Sequence, residues 1–268
     1  MTENAGRFIG DIPKNYDQHL GPNIFEDFAR DMARRAGALA PSSVLELAAG
    51  TGVVSRKLRD CLPAGARLVV SDLNPPMLDV ARAKFRSEEN VEFAVVDAMK
   101  LDYPKASFDL VLCQFGVMFF PDKRASFREV LRVLRPGGAY LFNAWGPMAD
   151  NPFSQIAHEA ALKYFPDDPP GFYRIPFSYA DSSVVADDLE AAGFSHIERF
   201  AVTVERRMTD IGGFARGLVF GNPLIDEIES RKTVAPDEVV GAIARGLREA
   251  WGDAPMPLNA TVFHARRA

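Results

Sequence analysis

The feature that most constrains the fold is a regular alternation between residues 44 and 145. Short apolar or β-branched runs are separated by longer segments in which apolar residues recur at helical spacing. The short runs cover residues 44–47, 67–71, 91–96, 108–113 and 139–145. This alternation predicts stacked β-α-β units with a parallel sheet covered by helices, and therefore an α/β protein.

Composition limits the kind of partner. The chain has 268 residues, 47% of them hydrophobic, and its net charge of -5 argues against a broad electrostatic grip on nucleic acid or anionic lipid. Two cysteines exclude a disulfide framework, and no basic leader or long apolar run indicates secretion or a membrane span. We therefore expect a cytoplasmic monomer or homodimer whose partner is a small molecule, with no membrane and no nucleic acid involved.

Three regions are predicted along the chain. Residues 1–40 form an N-terminal segment or lid, with a polar, mobile stretch ahead of a helix over 23–38. Residues 41–146 form the core, and 147–268 supply the last strands together with helical cap insertions at about 146–180 and 208–256. In this last region we expect helices over 153–165, 181–192, 210–220 and 236–251, and strands over 196–207 and 258–265.

The glycine turn after the first predicted strand carries the strongest chemical signal. The sequence VLELAAGTG at 44–52 runs from a strand into a helix, and Gly50 and Gly52 let the backbone approach a ligand closely. Asp72 lies 20 residues after Gly52, at the end of the second strand, where a carboxylate can accept both hydroxyls of a ribose. The combination predicts a nucleoside ligand.

Two nucleoside ligands compete for this site. A nicotinamide dinucleotide fingerprint requires glycine at position 55, where Ser55 stands, and Glu46 would repel a pyrophosphate. S-adenosylmethionine has an ammonium, a sulfonium and no phosphate, so it suits an acidic site. Asp97, followed by Ala98 and Met99, ends the third strand, where it can accept the exocyclic N–H of adenine. The spacing therefore favours S-adenosylmethionine over NAD(P).

With these motifs the chain resembles the class I S-adenosylmethionine-dependent methyltransferases, in particular the ubiquinone/menaquinone-biosynthesis-like group. The sequences CQFGV at 113–117 and LRPGG at 134–138 also look like family motifs, and Ala48 departs from the glycine of many members. The resemblance implies a Rossmann-like seven-stranded sheet in the order 3-2-1-4-5-7-6, its last strand antiparallel, with helices on both faces and a helical cap. It also implies methyl transfer to a small acceptor by in-line displacement.

The resemblance and the strand-end argument together predict a donor site. Tyr16, in the lead-in to the first helix, is expected to fold over the donor, and Gln114 and Phe115 leave the fourth strand beside it. The predicted donor-binding residues are Tyr16, Glu46, Ala48, Gly50, Thr51, Gly52, Asp72, Leu73, Met77, Asp97, Ala98, Met99, Gln114 and Phe115.

Catalytic residues are harder to predict than the donor site. His158 is a candidate because its helix follows the core, but no residue marks catalysis, so an S-adenosylmethionine-binding protein without turnover stays open beside an NAD(P)-dependent oxidoreductase. No Cys/His cluster has metal-ligand spacing.

The cap insertions are expected to bind the acceptor. The first is rich in aromatic residues, which suggests an apolar or aromatic acceptor, with His158 or Arg174 as a polar anchor. These aromatic residues are Phe153, Tyr164, Phe165, Phe172, Tyr173, Phe177 and Tyr179.

The sequence Asn74-Pro75-Pro76 is similar to the Asn-Pro-Pro-aromatic motif of amino-group methyltransferases, which follows the fourth strand there. Here it follows the second strand, so we expect Pro76 to begin a helix over 77–86 and we predict none of that motif's chemistry.

Overall fold

A computed structural model of the protein describes residues 6–268, so the start of the predicted N-terminal segment, residues 1–5, lies outside the described residues. Seven strands form one sheet in the order β3-β2-β1-β4-β5-β7-β6. The strands are β1 Ser43–Glu46, β2 Arg67–Asp72, β3 Val91–Val95, β4 Phe108–Gln114, β5 Leu134–Trp145, β6 Ser195–Arg206 and β7 Met256–Arg266. Strands β1 to β5 pair in parallel, and β7 runs antiparallel to both β5 and β6. The predicted fold class and strand order are confirmed.

Helices cover both faces of the sheet. A π-helix over Tyr16–Phe25 joins the first two α-helices into one continuous helical segment. The α-helices are α1 Ile12–Asn15, α2 Glu26–Ala38, α3 Val53–Cys61, α4 Pro75–Arg82, α5 Lys123–Val133, α6 Pro152–Tyr164, α7 Ser182–Ala192, α8 Ile211–Phe220, α9 Leu224–Arg231 and α10 Pro236–Ala250.

The strand side chains alternate between two buried clusters. In β1, Val44 belongs to the cluster that also holds residues of α2 and α3, whereas Leu45 belongs to the cluster on the opposite face with residues of α5 and α7. In β4, Leu110 and Val111 divide in the same way. Because successive side chains of a strand point to opposite faces, short continuous apolar runs are what a sheet buried on both sides requires.

The element boundaries differ from the prediction mainly near the N-terminus. The lead-in that was expected to be mobile is helical from Ile12 onward, and Leu20 and Ile24 within it are buried. Pro75, rather than Pro76, is the first residue of α4, and α9 was not predicted. The prediction rested on the polar composition of the lead-in, which does not show that Leu20 and Ile24 are buried in the folded protein.

At residues 134–138 the pairing of β5 with β4 is irregular. Leu134 pairs with Phe108, the register then shifts, and regular pairing resumes at Ala139 opposite Leu110. Gly137 has a φ of 76°, which glycine adopts at no steric cost. The sequence prediction of a turn between α5 and the fifth strand is therefore close to the observed geometry.

No helix within residues 6–268 is long and apolar enough to cross a membrane. The same residues contain no cluster of three or more His, Cys, Asp or Glu side chains that can hold a metal ion.

Candidate active site

The two glycines of the loop after β1 do different work. Gly50 has a φ of 57°, and a Cβ built on it would meet no atom within 4 Å, so this position leaves room for a ligand. A Cβ on Gly52 would lie 2.9 Å from the Cβ of Ala81, so this glycine lets the loop pack against α4. The non-glycine Ala48 also has a positive φ, 49°, a conformation in which an L side chain is strained.

Asp72 ties the end of β2 to this glycine loop. Its Oδ2 accepts the backbone N–H of Gly50 at 2.8 Å, and its Oδ1 accepts the backbone N–H of Asn74 at 2.8 Å. The residue is only 7% exposed, and burial raises the pKa of its carboxyl. Oδ1 also accepts the side-chain N–H of Asn74 at 3.2 Å, so Oδ2, with one of its two lone pairs unused, retains acceptor capacity for a ligand hydroxyl.

The ends of β3 and β4 complete this side of the site. Asp97 is exposed, and its Oδ1 accepts the N–H of Met99 at 2.8 Å, which fixes the turn after β3. Phe115, after β4, has a φ of 51°, donates its N–H to Asn143 Oδ1 at 2.9 Å and stacks on Trp145 at 3.9 Å between ring centroids. A non-glycine residue at positive φ is strained, and the surrounding structure must hold it in that conformation. Such residues are frequent at ligand sites.

One cavity connects these strand ends. The predicted donor residues that line it are Tyr16, Ala48, Gly50, Asp72, Leu73, Met77, Asp97, Ala98, Met99, Gln114 and Phe115.

Three predicted donor residues, Glu46, Thr51 and Gly52, do not line the cavity. Glu46 is 1% exposed with its Oε2 unpaired, and Thr51 is buried with its hydroxyl unpaired. Burial, with a smaller contribution from the charge of Asp72, raises the pKa of Glu46 to about 8. The donor-binding role of these three residues stays a prediction.

The rest of the cavity wall is aromatic and comes from distant segments. Tyr16 stacks on Phe25 with 5.0 Å between ring centroids, and Trp145 contacts Phe25 and Phe153. The aromatic residues that line the cavity are Phe8, Tyr16, Phe25, Phe115, Phe119, Phe120, Trp145, Phe153, Phe172, Tyr173 and Phe177. Of the cap aromatics named from the sequence, Tyr164, Phe165 and Tyr179 are not in this wall.

Several lining residues were not predicted from the sequence. Trp145 stands at the carboxyl end of β5, and Asn74 follows β2, so the strand-end rule that found Asp72 also applies to them. No comparable signal indicates Phe8 or Phe25, or Leu218 and Asn222 of the second insertion, because only tertiary packing brings them to the wall.

The candidate general base lies elsewhere. His158 is half-buried on α6 and does not line the cavity, and burial together with the positive charge of Arg174 lowers its pKa. Arg174 does not line the cavity either. Among the residues that the structure describes, no His, Lys, Arg, Cys or Glu side chain belongs to the wall.

Comparison with known proteins matches residues 44–138 to the methyltransferase domain family. Over these residues the chain is similar to a methyltransferase domain. This region begins in β1 and ends at the irregular part of β5, so it contains the glycine loop, Asp72, Asp97 and Gln114.

Curated relatives of the methyltransferase domain confirm the predicted resemblance. A demethylmenaquinone methyltransferase of Deinococcus radiodurans is 38% identical over 138 residues, which is 51% of this chain and 57% of that protein. A ubiquinone/menaquinone biosynthesis C-methyltransferase of Hahella chejuensis is 37% identical over 110 residues, 40% of this chain and 44% of that protein. The chain thus spans about half the length of the curated relatives it matches.

Solved structures share the fold across nearly the whole chain. A phosphoethanolamine N-methyltransferase of Haemonchus contortus in complex with S-adenosyl-L-methionine aligns with a TM-score of 0.61 and 19% identity, covering 98% of this chain and 59% of that one. The YcgJ protein of Bacillus subtilis aligns with a TM-score of 0.55 and 20% identity, covering 90% and 98%. None of these matches favours an NAD(P)-dependent oxidoreductase or a binding protein without turnover.

Proposed function

We propose that this protein transfers a methyl group from S-adenosylmethionine to an uncharged, flat and largely apolar acceptor. One observation carries the proposal: a single cavity joins the acidic strand ends of the methyltransferase domain to an aromatic wall built by the N-terminal segment and the cap. A donor and an acceptor that share one cavity can be held in contact, and such positioning contributes about 7 to 11 kcal/mol to methyl transfer.

The residues at the acidic end fit the donor. Asp72 Oδ2 retains a lone pair for a ribose hydroxyl, Asp97 is exposed for the adenine amino group, and Gly50 leaves space for the methionine portion. Leu73, Met77, Ala98 and Met99 supply apolar surface for the adenine ring. The buried, unpaired Oε1 of Gln114 is an acceptor without a partner, which a ligand N–H or O–H can satisfy.

The chemistry needs no proton-accepting side chain in the wall. When bound, S-adenosylmethionine supplies an electrophilic methyl group on a sulfonium. The aromatic wall excludes water, and the hydroxyl of Tyr16 stays protonated because burial and the nearby charge of Asp72 raise its pKa. We infer that the acceptor atom is nucleophilic without losing a proton to the protein first, as in an electron-rich ring carbon or a neutral amine.

The charge of the wall separates two acceptor classes. A solved structural neighbour from Haemonchus contortus binds phosphomonomethylethanolamine, a phosphate ester. Within residues 6–268 the wall here offers a phosphate no Lys or Arg, and Asp72 and Asp97 would repel it. A quinone-type ring, the class that the name demethylmenaquinone indicates for the curated relatives, places flat apolar surface against flat apolar surface.

Two measurements test the proposal. Calorimetric titration with S-adenosylmethionine and NADH in parallel is expected to give a saturable heat with the first ligand only. Methyl uptake from labelled S-adenosylmethionine is then followed with a reduced naphthoquinone, a phenol, a fatty acid and phosphoethanolamine. Uptake by the naphthoquinol or phenol supports the acceptor class. NADH binding overturns the donor assignment, and uptake confined to phosphoethanolamine or the fatty acid overturns the acceptor class.

A further inference from the structure

The π-helix over Tyr16–Phe25 determines which side chains of the N-terminal segment face the cavity. In an α-helix, residues nine positions apart are about two and a half turns apart and lie on opposite faces. A π-helix has about 4.4 residues per turn, so nine positions make just over two full turns. Tyr16 and Phe25 consequently share one face, stack with 17° between their ring planes, and both line the cavity.

The π-helix packs closely against two glycines, Gly217 in α8 and Gly221 directly after it. A Cβ built on Gly217 would lie 2.6 Å from the Cβ of His19 and 3.2 Å from its backbone carbonyl carbon. A Cβ on Gly221, the residue after α8, would lie 2.6 Å from the carbonyl oxygen of Gly217, 3.0 Å from Leu20 Cδ1 and 3.2 Å from the Cα of Tyr16. The two backbones are therefore closer than any side chain on these glycines would allow.

This close approach is specific to one face of the helix. Gly212, in the first turn of the same helix, has room for a Cβ, whose nearest neighbour would be Asp210 Oδ1 at 3.6 Å. A glycine inside a helix costs roughly 1 kcal/mol relative to alanine, so Gly217 weakens α8 on its own. Because Gly217 has no side chain, α8 can contact the π-helix this closely.

The same segment of chain also reaches the acceptor part of the cavity. Leu218, adjacent to Gly217, and Asn222, adjacent to Gly221, both line the cavity wall. Tyr173, another lining residue, donates its hydroxyl hydrogen to the carbonyl of Leu218 at 2.7 Å. The segment 217–222 thus contacts the π-helix at Gly217 and Gly221, and it lines the acceptor part of the cavity with Leu218 and Asn222.

We propose that Gly217 and Gly221 are positioning residues that set where Tyr16 and Phe25 stand in the methyl-transfer cavity. The proposal rests on the proposed function, because it gives Tyr16 a task at the donor. It makes the second cap insertion a determinant of donor geometry as well as of acceptor fit. A methyl group on Gly217 must push the π-helix back by about 1 Å, since carbon atoms prefer separations of about 3.5 to 4.0 Å.

The first test compares Gly217→Ala with Gly212→Ala. We expect Gly217→Ala to lower kcat/KM by about tenfold or more, because displacements of about 1 Å carry costs of that order, and Gly212→Ala to stay within about twofold of the wild type. Fluorine NMR of protein labelled with 3-fluorotyrosine, with the Tyr16 signal assigned from Tyr16→Phe, reports the position of Tyr16 without any ligand. The Tyr16 signal is expected to shift in Gly217→Ala only.

A double-mutant cycle separates positioning of Tyr16 from a general loss of packing. In a Tyr16→Phe background we expect Gly217→Ala to cost less than about threefold further, since the hydroxyl that it misplaces is already gone. The double variant Gly217→Ala with His19→Gly, which removes the His19 Cβ that the new methyl group would meet, is expected to restore at least part of the lost activity. Gly221→Ala provides a second, independent displacement if Gly217→Ala does not fold.

The outcomes are distinct. Equal losses in both backgrounds, or an unmoved Tyr16 signal in Gly217→Ala and Gly221→Ala, overturn the positioning role while leaving the proposed function intact. A wild-type protein that binds no S-adenosylmethionine overturns the proposed function, and the positioning of Tyr16 at a donor falls with it. A shifted Tyr16 signal together with a non-additive cycle supports the inference.

Discussion

The two ends of the cavity are built in different ways. The donor end comes from four loops that directly follow β1 to β4, and all its residues between Ala48 and Phe115 lie within one methyltransferase domain. The acceptor end is assembled from the turn after β4, the end of β5 and both cap insertions, with Phe25 of the π-helix in contact with Trp145. The donor end therefore depends on local motifs repeated at strand ends, whereas the acceptor end depends on how remote segments pack together.

The largest expected effect concerns the donor end alone. Asp72→Ala removes the ribose acceptors and the anchor of the Gly50 N–H, so we expect donor affinity to weaken by about 2 to 4 kcal/mol. Calorimetric titration with S-adenosylmethionine measures the loss. Asp79→Ala, which removes an exposed acid on α4 outside the cavity, is the matched control. Unchanged donor affinity in Asp72→Ala would contradict the assignment of the donor end.

The acceptor end is tested by replacing Phe172 and Tyr173 together with Ala. Both are buried in the wall, so we expect acceptor kcat/KM to fall by about 10 to 100-fold, while donor affinity stays within about 0.5 kcal/mol. Tyr164→Ala removes an aromatic ring of the same insertion that does not line the cavity, and it is expected to change neither quantity. Loss of donor binding with intact acceptor kinetics would mean that the two ends are not separate.

A smaller expected effect is the pH dependence of the protein's stability that results from Glu46, behind the donor end. The folded-state pKa of Glu46 is about 8, above its ordinary value, so the stability associated with the protonated carboxyl is complete below about pH 4.5 and is lost as the pH rises through about 8. Glu46→Gln keeps the shape without the ionisation. Its Tm is expected to exceed that of the wild type by at least about 3 °C at pH 9, with the gap narrowing toward pH 5.

Calorimetric scans from pH 5 to pH 9 measure that gap. A Tm difference that does not change with pH would show that Glu46 does not ionise in this range and would assign its burial to packing alone.

The smallest expected effect lies in the glycine loop. Ala48 is held at a φ of 49°, so Ala48→Gly relieves strain of about 1 kcal/mol, partly offset by the greater freedom of glycine in the unfolded chain. Denaturant unfolding is expected to show a gain of about 1 kcal/mol or less, with donor affinity unchanged. A destabilised glycine variant would mean that the Cβ of Ala48 contributes packing that outweighs its backbone strain.

These contrasts also explain how far the sequence could be read. The five apolar runs of the core and the helix expected over 181–192 depend on neighbouring residues only. Asp72 and Asp97 were found because parallel strands place their carboxyl ends at one edge. The strand order of the sheet was not visible in spacing and followed from the family resemblance.

Other features could not be read because their determinants are distant in sequence. The sequence does not show whether the carboxylate of Glu46 faces a ligand or the protein interior. In the structure this side chain is buried and does not line the cavity. The lead-in was predicted to be mobile because it is polar, whereas the structure shows a π-helix in which Tyr16, Leu20 and Phe25 share a face. His158 shares the cap with lining residues but is turned away from the wall.

The sequence by itself determined the α/β core, the glycine loop and the acidic strand ends, since each is set by residues within one strand-loop-helix unit. Only the tertiary structure determined which aromatic residues form the acceptor wall, that Glu46 is buried outside the cavity, and that the π-helix packs against Gly217 and Gly221. The physical reason is that local backbone preferences are encoded by neighbouring residues, whereas close packing is encoded jointly by surfaces far apart in the chain.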